Sequence, residues 1–539
     1  MAQRLVDIDP RYAWSEVQRG SLIAAYKGRT ATVRELLSLL PAQGLPDLKL
    51  LARPLAALSG HFVVLVQGEG WILAMADKVA GYPGYYVHKD GKFQASNSAR
   101  LLQRNWGLTA GHADALLELR TAGYVTGRET LVRHLYKLQA GEVVLWDAAA
   151  ASITRQRYYL FYSQEVLSAP ENDLIDELDG RTNVIIDRLI EDADDRQVVV
   201  PLSGGLDSRV ILTKLKMRGC RNIWTFSYGV PGNYEAKVAR YVAEVLGVPW
   251  SFVPTTNDEA KAYFYSADRQ DYWEYADGLH VVPNLHAMFA LRRLQEEGRF
   301  LDGAVLVNGQ SGDFIAGDHI PTLGRDTAIG FDLLHGKIMS KHYSLRRGML
   351  EDPDVVGQIR GRIDAAFEVS QEMSTPQEYA KIHELWEWQG RQAVRVINGQ
   401  RNYDYFDLAW ELPLWEQEYL EFWARIPLVH KLGRTLFRRW LEREDFYGLF
   451  RDYQPFLSRW PRHLVLIQHL GRAMRLLVGV KASRRYYELL DYYSQYSYLY
   501  GQLTYAEYLH HCSDYKGPIS YYVDAWEQEN QGLFTEGFV

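Results

Sequence analysis

Short apolar runs separated by turn residues fill the chain up to about residue 160. Residues 60–66 read GHFVVLV, 71–75 WILAM and 84–87 GYYV, with glycine, aspartate and lysine between them, as antiparallel hairpins require. Residues 141–146 (GEVVLW) predict a further strand. The period then lengthens. Leu174, Ile175, Leu178, Val184, Ile185, Leu189 and Ile190 recur at helical spacing over 173–192, a segment suited to joining a first region to a second. The expected division is 1–165 and 166–539. From residue 197 the rhythm becomes buried strand (VVVPL, 198–202), glycine-rich turn, helix (207–217) and strand (222–226), the alternation of a parallel α/β sheet. Beyond residue 330 the pattern is mainly helical and rich in aromatics such as Tyr486, Tyr487, Tyr492, Tyr493, Tyr496, Tyr498 and Tyr500.

Composition narrows the function classes. A length of 539 residues exceeds what one hydrophobic core usually supports, and 47% apolar with 24% charged residues is an ordinary globular balance. A formal charge of −7 provides no overall positive field for nucleic acid, which is set aside as a partner. Cys220 and Cys512 are the only cysteines, too few for a disulfide framework or a cysteine-built metal site. With no secretory pattern at the start and no apolar run near the roughly 20 residues that cross a bilayer, a cytoplasmic protein is expected.

The candidate chemistry lies in two turns. Leu202, Ser203, Gly204, Gly205, Leu206, Asp207 and Ser208 stand between an apolar strand and an amphipathic helix. Adjacent glycines let backbone N–H groups approach an anion, the serines add hydroxyl donors, and the helix directs its positive end at the same point. The Gly-Lys-Ser/Thr ending of a Walker loop is missing, so transfer of the γ-phosphate is not indicated. A carboxylate inside such a cradle, Asp207, repels phosphate unless a divalent cation intervenes, which implies magnesium. The alternative is a strand-to-helix turn in which Asp207 only caps the helix. A second acidic turn, residues 305–318, again runs from an apolar strand into a glycine-rich loop, and Asp313 is expected to meet Asp207 across one metal ion. Its alternative is a turn with solvated aspartates.

These residues resemble asparagine synthetases and their relatives. Residues 203–208 resemble the family's SGGLDS pyrophosphate loop, Phe226 and Ser227 the strand end beside the adenosine, and 308–313 its SGEGADE loop. Glu235 falls where the family carries an acidic residue. The resemblance implies that a carboxylate attacks the α-phosphate of ATP, pyrophosphate leaves on magnesium, and an amine then displaces AMP. It assigns Ser203, Gly204, Gly205 and Ser208 to pyrophosphate, Asp207 and Asp313 to magnesium, and Leu202, Phe226, Ser227, Asn308 and Gly309 to AMP. Gln310 stands where the synthetases have a glutamate that handles the amine, and an amide cannot take a proton. Glu411, before Leu412, Pro413, Leu414, Trp415 and Glu416, replaces an arginine of the family's Arg-x-Pro-Phe-Leu-Asp stretch. The late catalytic lysine has no assigned counterpart.

The first region is similar to the family's glutaminase domain, an Ntn-type antiparallel β sandwich, through residues 58–62, 77–83 and 95–98. Ala2 follows Met1 where that domain carries its nucleophilic cysteine, so the region is expected to be structural and the nucleophile to be ammonia or another amine. Residues 122–130, 138–142 and 412–416 resemble members from bacterial surface-polysaccharide (O-antigen) pathways, which amidate uronic acids. Ring-forming relatives, the β-lactam synthetases and lasso-peptide cyclases, are the alternative within the enzyme class, and a nucleotide-binding pseudoenzyme serving as an assembly partner is the alternative outside it. Residues 462–485 carry Arg462, Arg472, Arg475, Lys481, Arg484 and Arg485 with no acid, so a basic helix resting on anionic lipid at the inner face of the membrane stands beside a bundle helix with a solvated face. A homodimer stays open as an alternative to a monomer.

Overall fold

The computed structural model describes residues 5–324, 327–367, 373–451, 462–499 and 503–539. The residues up to Arg157 build two sheets. One has the order Val6–Asp7, Lys92–Ser96, Tyr85–Lys89, Leu135–Lys137, antiparallel except for its first pair. The other is fully antiparallel, in the order Ser152–Arg157, Glu142–Asp147, Trp71–Ala76, Phe62–Gly68, Leu22–Gly28, Ser15–Arg19. All the strands expected at 60–66, 71–75, 84–87 and 141–146 are present within a residue or two. The alternating side chains of the larger sheet divide between two cores. Val63, Leu65, Ile72, Ala74 and Trp146 face the smaller sheet, where the Trp146 and Phe93 rings stack at 5.6 Å. Val64, Val66, Leu73 and Leu145 face the helices Thr30–Leu39 and Leu48–Ala57.

The helix Glu171–Ala193 leads to a five-stranded parallel sheet. Its order is Trp250–Pro254, Ile223–Gly229, Val198–Pro201, Val305–Val307, Ala409–Glu411. Val198–Pro201 comes first in sequence but lies in the middle, with the second and third strands on one side and the fourth and fifth on the other. The chain therefore changes winding direction between Val198–Pro201 and Val305–Val307, and a crevice opens at the carboxyl ends of those two strands. The two candidate loops leave these strand ends. Ala409–Glu411 is an edge strand in the region expected to be helical; its three residues are too few to show a period.

The turn at residues 77–81 docks the two parts together. Asp77 is buried and accepts backbone N–H bonds from Phe62 (2.9 Å), Val79 (2.7 Å) and Gly81 (3.1 Å), fixing a tight turn. Lys78 Nζ donates to Leu58 O and to Gln417 Oε1, both at 2.7 Å. Trp388 Nε1 donates to Lys78 O (3.0 Å) and Arg401 to Gly81 O (2.7 Å), so this turn is bonded on the side of the parallel sheet.

The expected helix 462–485 is two helices, Arg462–Leu477 and Val480–Leu499. Gly479, at φ 107°, adopts a backbone conformation that ends the first one. The side chains of Tyr492, Tyr493, Tyr496 and Tyr498, with all of Tyr500, lie outside the described residues.

Candidate active site

The loop 203–208 is held by its own backbone and serine hydroxyls. Ser203 N donates to Ser208 Oγ (3.2 Å), the two serine hydroxyls lie 3.1 Å apart, and Gly205 N donates to Ser203 Oγ (3.1 Å). Arg209 clamps the loop from below, donating to Gly204 O (3.0 Å) and Leu449 O (2.8 Å). The helix Leu206–Met217 starts at Gly205 with no side-chain cap, so its first N–H groups stay available to an anion. Asp207 does not cap this helix. Its carboxylate turns instead toward the second loop.

The two loops touch, and glycine is what permits it. A Cβ at Gly309 would lie 2.7 Å from Ser208 N, and one at Gly312 would lie 2.7 Å from Asp207 Oδ1. Neither position needs a left-handed backbone; both need the missing side chain. Ser311 between them does hold a positive φ, 66°, and its hydroxyl donates to Gln392 Oε1 at 2.7 Å. Gln392 belongs to a π-helical segment, Trp388–Val396, a rare geometry that recurs at functional sites. Gln310 N donates to Asn308 Oδ1 (3.0 Å), and Asn308 Nδ2 donates to Tyr403 Oη (3.0 Å).

The loops border a cleft of about 800 Å³. Leu202, Ser203, Gly205, Asp207, Ser208, Phe226, Ser227, Asn308, Gly309, Gln310 and Asp313 all line it, as does Glu235. Gly204 is set back, against Glu235, whose Cα would lie 3.1 Å from a Cβ at that position. Some of these side chains are already committed. Ser227 Oγ donates to Leu202 O (2.6 Å) and accepts from Trp250 Nε1 (3.0 Å). The Gln310 amide donates to Val396 O (3.0 Å) and accepts from Gln400 Nε2, so it ties the acidic loop to the end of the π-helical segment.

Two cations that the sequence pattern leaves unmarked complete the site. Arg434 pairs with the Asp207 carboxylate from 227 residues away. It stands at φ 61° beside Gly433, also at φ 61°, a left-handed pair that turns the guanidinium inward. Burial raises the pKa of Asp207, Arg434 opposes that, and the nearby Asp313 adds to it. Asp313 meets His319 Nε2 at 3.4 Å, and His319 Nδ1 bonds Glu387, a buried carboxylate that also faces Lys341 at 3.2 Å. Burial would push Asp313 up, but the hydrogen bond and charge of His319 outweigh it and hold the carboxyl down at about 2. Burial likewise disfavours charge on His319, and its two carboxylate partners overcome this and raise it to about 8. Two carboxylates of like charge thus meet in one crevice, each with its own cationic partner.

Residues 193–449 match the model of the asparagine synthase family. They form an asparagine synthase domain. Members of that family are ATP-dependent carbon–nitrogen ligases that form AMP and pyrophosphate. Among solved structures, the chain is similar to an NH3-dependent NAD synthetase from Campylobacter jejuni subsp. jejuni (11% identity, 37% of this chain and 95% of that one, TM-score 0.21). It is also similar to the glutamine phosphoribosylpyrophosphate amidotransferase of B. subtilis (13% identity, 57% of this chain and 65% of that one, TM-score 0.18). At such TM-scores the likeness bears on neither site nor substrate. No curated protein matches the chain.

Proposed function

We propose that this asparagine synthase domain activates a sugar carboxylic acid, of the uronic acid class, and passes it to ammonia or another small amine. The carboxylate oxygen bonds to the α-phosphorus of ATP as the bond to the β-phosphate oxygen breaks, and pyrophosphate leaves. The amine then bonds to the acyl carbon, AMP departs with the electron pair of the acyl–oxygen bond, and the amine proton passes to water. The observation that carries this reading is the contact of two glycine loops at the switch point of the sheet, with Asp207 and Asp313 turned into one cleft.

Ser203, Ser208 and the uncapped N-terminus of Leu206–Met217 would bind the diphosphate. Asp207 and Asp313 would hold a divalent cation, as two carboxylates lining the cleft that is to receive the charge of the triphosphate. Bound between them, magnesium would supply charge neutralisation to the phosphates. Phe226 and the strand end at Ser227 support the adenosine, with Leu202, Asn308 and Gly309 beside it. Gln310 is a positioning residue, because both ends of its amide are engaged.

A sugar acid is favoured over an apolar acceptor by the polar side chains of Asn284, Gln400, Asn402 and Tyr403, which also line the cleft, with Gln400 Oε1 buried and without a partner among the described residues. Such groups hydrogen-bond hydroxyls. The first 165 residues, read as a glutaminase-like Ntn sandwich, serve to support the synthetase part, a role consistent with the docking of Asp77, Lys78 and Gly81.

Pyrophosphate release in the presence of ATP, magnesium, an ammonium salt and a panel of uronic acids tests the reading. Turnover is expected for at least one acid and should fall by about a hundredfold or more in Asp207→Ala. Full activity of Asp207→Ala, or ATP consumption that yields ADP, would overturn it.

A further inference from the structure

The turn between Arg462–Leu477 and Val480–Leu499 presents a cluster of large aliphatic side chains to solvent. Leu476 is 87% exposed, Leu477 84%, Val478 69% and Val480 63%. Scattered exposed aliphatics are ordinary on a protein surface; four within five consecutive positions are not. The turn is also built, not frayed. Val478 N and Gly479 N both donate to Met474 O, at 2.9 and 3.1 Å, and Gly479 takes the positive φ that reverses the chain. Behind the turn the two helices are in close contact, because a Cβ at Gly471 would lie 2.4 Å from the Tyr487 ring and Ser483 Oγ donates to Gly471 O at 2.9 Å.

Charge around this tip has one sign. No acidic residue occurs from 462 to 487. Arg472, Arg475 and Lys481 are exposed, and among the described residues no carboxylate pairs with any of them. Arg485, farther from the turn, does pair with Glu488, at 3.6 Å. The tip is thus convex and aliphatic with an unpaired cationic collar. A convex apolar tip does not complement another folded surface without a groove to receive it, whereas it enters the boundary between lipid headgroups and acyl chains while the collar meets anionic phosphates. No helix among the described residues is long and apolar enough to cross a membrane, so contact through this element would be peripheral.

We propose that residues 472–481 form a membrane-docking tip that inserts Leu476, Leu477, Val478 and Val480 into an anionic phospholipid surface. This is independent of the chemistry in the cleft, so either reading can fail alone. The full chain is floated with vesicles of phosphatidylcholine alone or mixed with phosphatidylglycerol, at low and at high salt. Association with the mixed vesicles is expected, weakened by salt and far weaker on phosphatidylcholine alone. Leu476→Asp with Leu477→Asp should reduce it at least about tenfold at an unchanged melting temperature, since neither side chain contributes to the core. Replacing Arg472, Arg475 and Lys481 by glutamine should remove the salt dependence. Failure to float with mixed vesicles, equal floating of the aspartate variant, or self-association of the parent chain that the aspartate variant abolishes would each overturn the proposal.

Discussion

Adding a methyl group at Gly312 tests the contact on which the cleft is built. A Cβ there would lie 2.5 Å from Leu414 Cδ1 and 2.7 Å from both Cγ and Oδ1 of Asp207, whereas ordinary contacts begin at 3.4 Å. Asp207 would have to retreat by about 0.7 Å (3.4 − 2.7). It has little room, because Arg434 holds its carboxylate, and Leu414 is itself buried. Overpacking of this kind costs about 1–3 kcal/mol. Because the strain falls on Asp207 and the loop 203–208, which are proposed to hold the cation and the diphosphate, that cost should appear in nucleotide affinity, as about a 5- to 150-fold weakening. Calorimetric binding of a non-hydrolysable ATP analogue with magnesium measures it, with a melting curve in parallel to show that the variant is folded. Gly336→Ala is the control. It lies within the helix Phe331–His342 with open space around it, so it should leave binding unchanged and add up to about 1 kcal/mol of helix stability. A folded Gly312→Ala protein that binds the analogue as the parent does would refute the reasoning.

Two further outcomes follow from the charges. Arg434→Met leaves Asp207 buried beside Asp313 with no cation, which should cost about 3–5 kcal/mol, and magnesium should raise its melting temperature more than it raises the parent's; equal melting temperatures and equal increments would count against the pair. Glu411 is raised by burial, partly offset by His61, from its ordinary 4.5 to about 7, so the folded protein holds the extra proton and stability falls as pH rises through that window, by at most about 3 kcal/mol. Glu411→Gln should therefore be more stable than the parent near pH 8 and no more stable near pH 4.5, and denaturant midpoints at the two pH values that shift equally would exclude it.

The legible part of the sequence was local. The loop 202–208 could be read because a strand, two glycines and a helix are contiguous, and the structure brings it to the same cleft as 308–313, as the order of a parallel sheet allows. The strands at 60–66, 71–75 and 141–146 were visible as apolar runs, whereas Ser15–Arg19 and Ser152–Arg157 are edge strands with exposed faces and carry no such signal. Arg434 was illegible for another reason. It lies among Arg438, Arg439 and Arg443, and only the left-handed backbone at Gly433 and Arg434 separates an inward guanidinium from its solvated neighbours. His319 and Glu387 likewise gain their meaning from one another across 68 residues.

Arg434 also changes the case for the metal. From sequence, Asp207 in a phosphate cradle implies a divalent cation, because its charge repels phosphate unless something offsets it. In the folded chain something does: Arg434 pairs with Asp207, and His319, held protonated by Asp313 and Glu387, offsets Asp313. The site is close to neutral before any ligand arrives, so the two aspartates can face one cleft without a metal to hold them together. The proposed divalent cation then answers the charge of the incoming triphosphate rather than repulsion between the carboxylates.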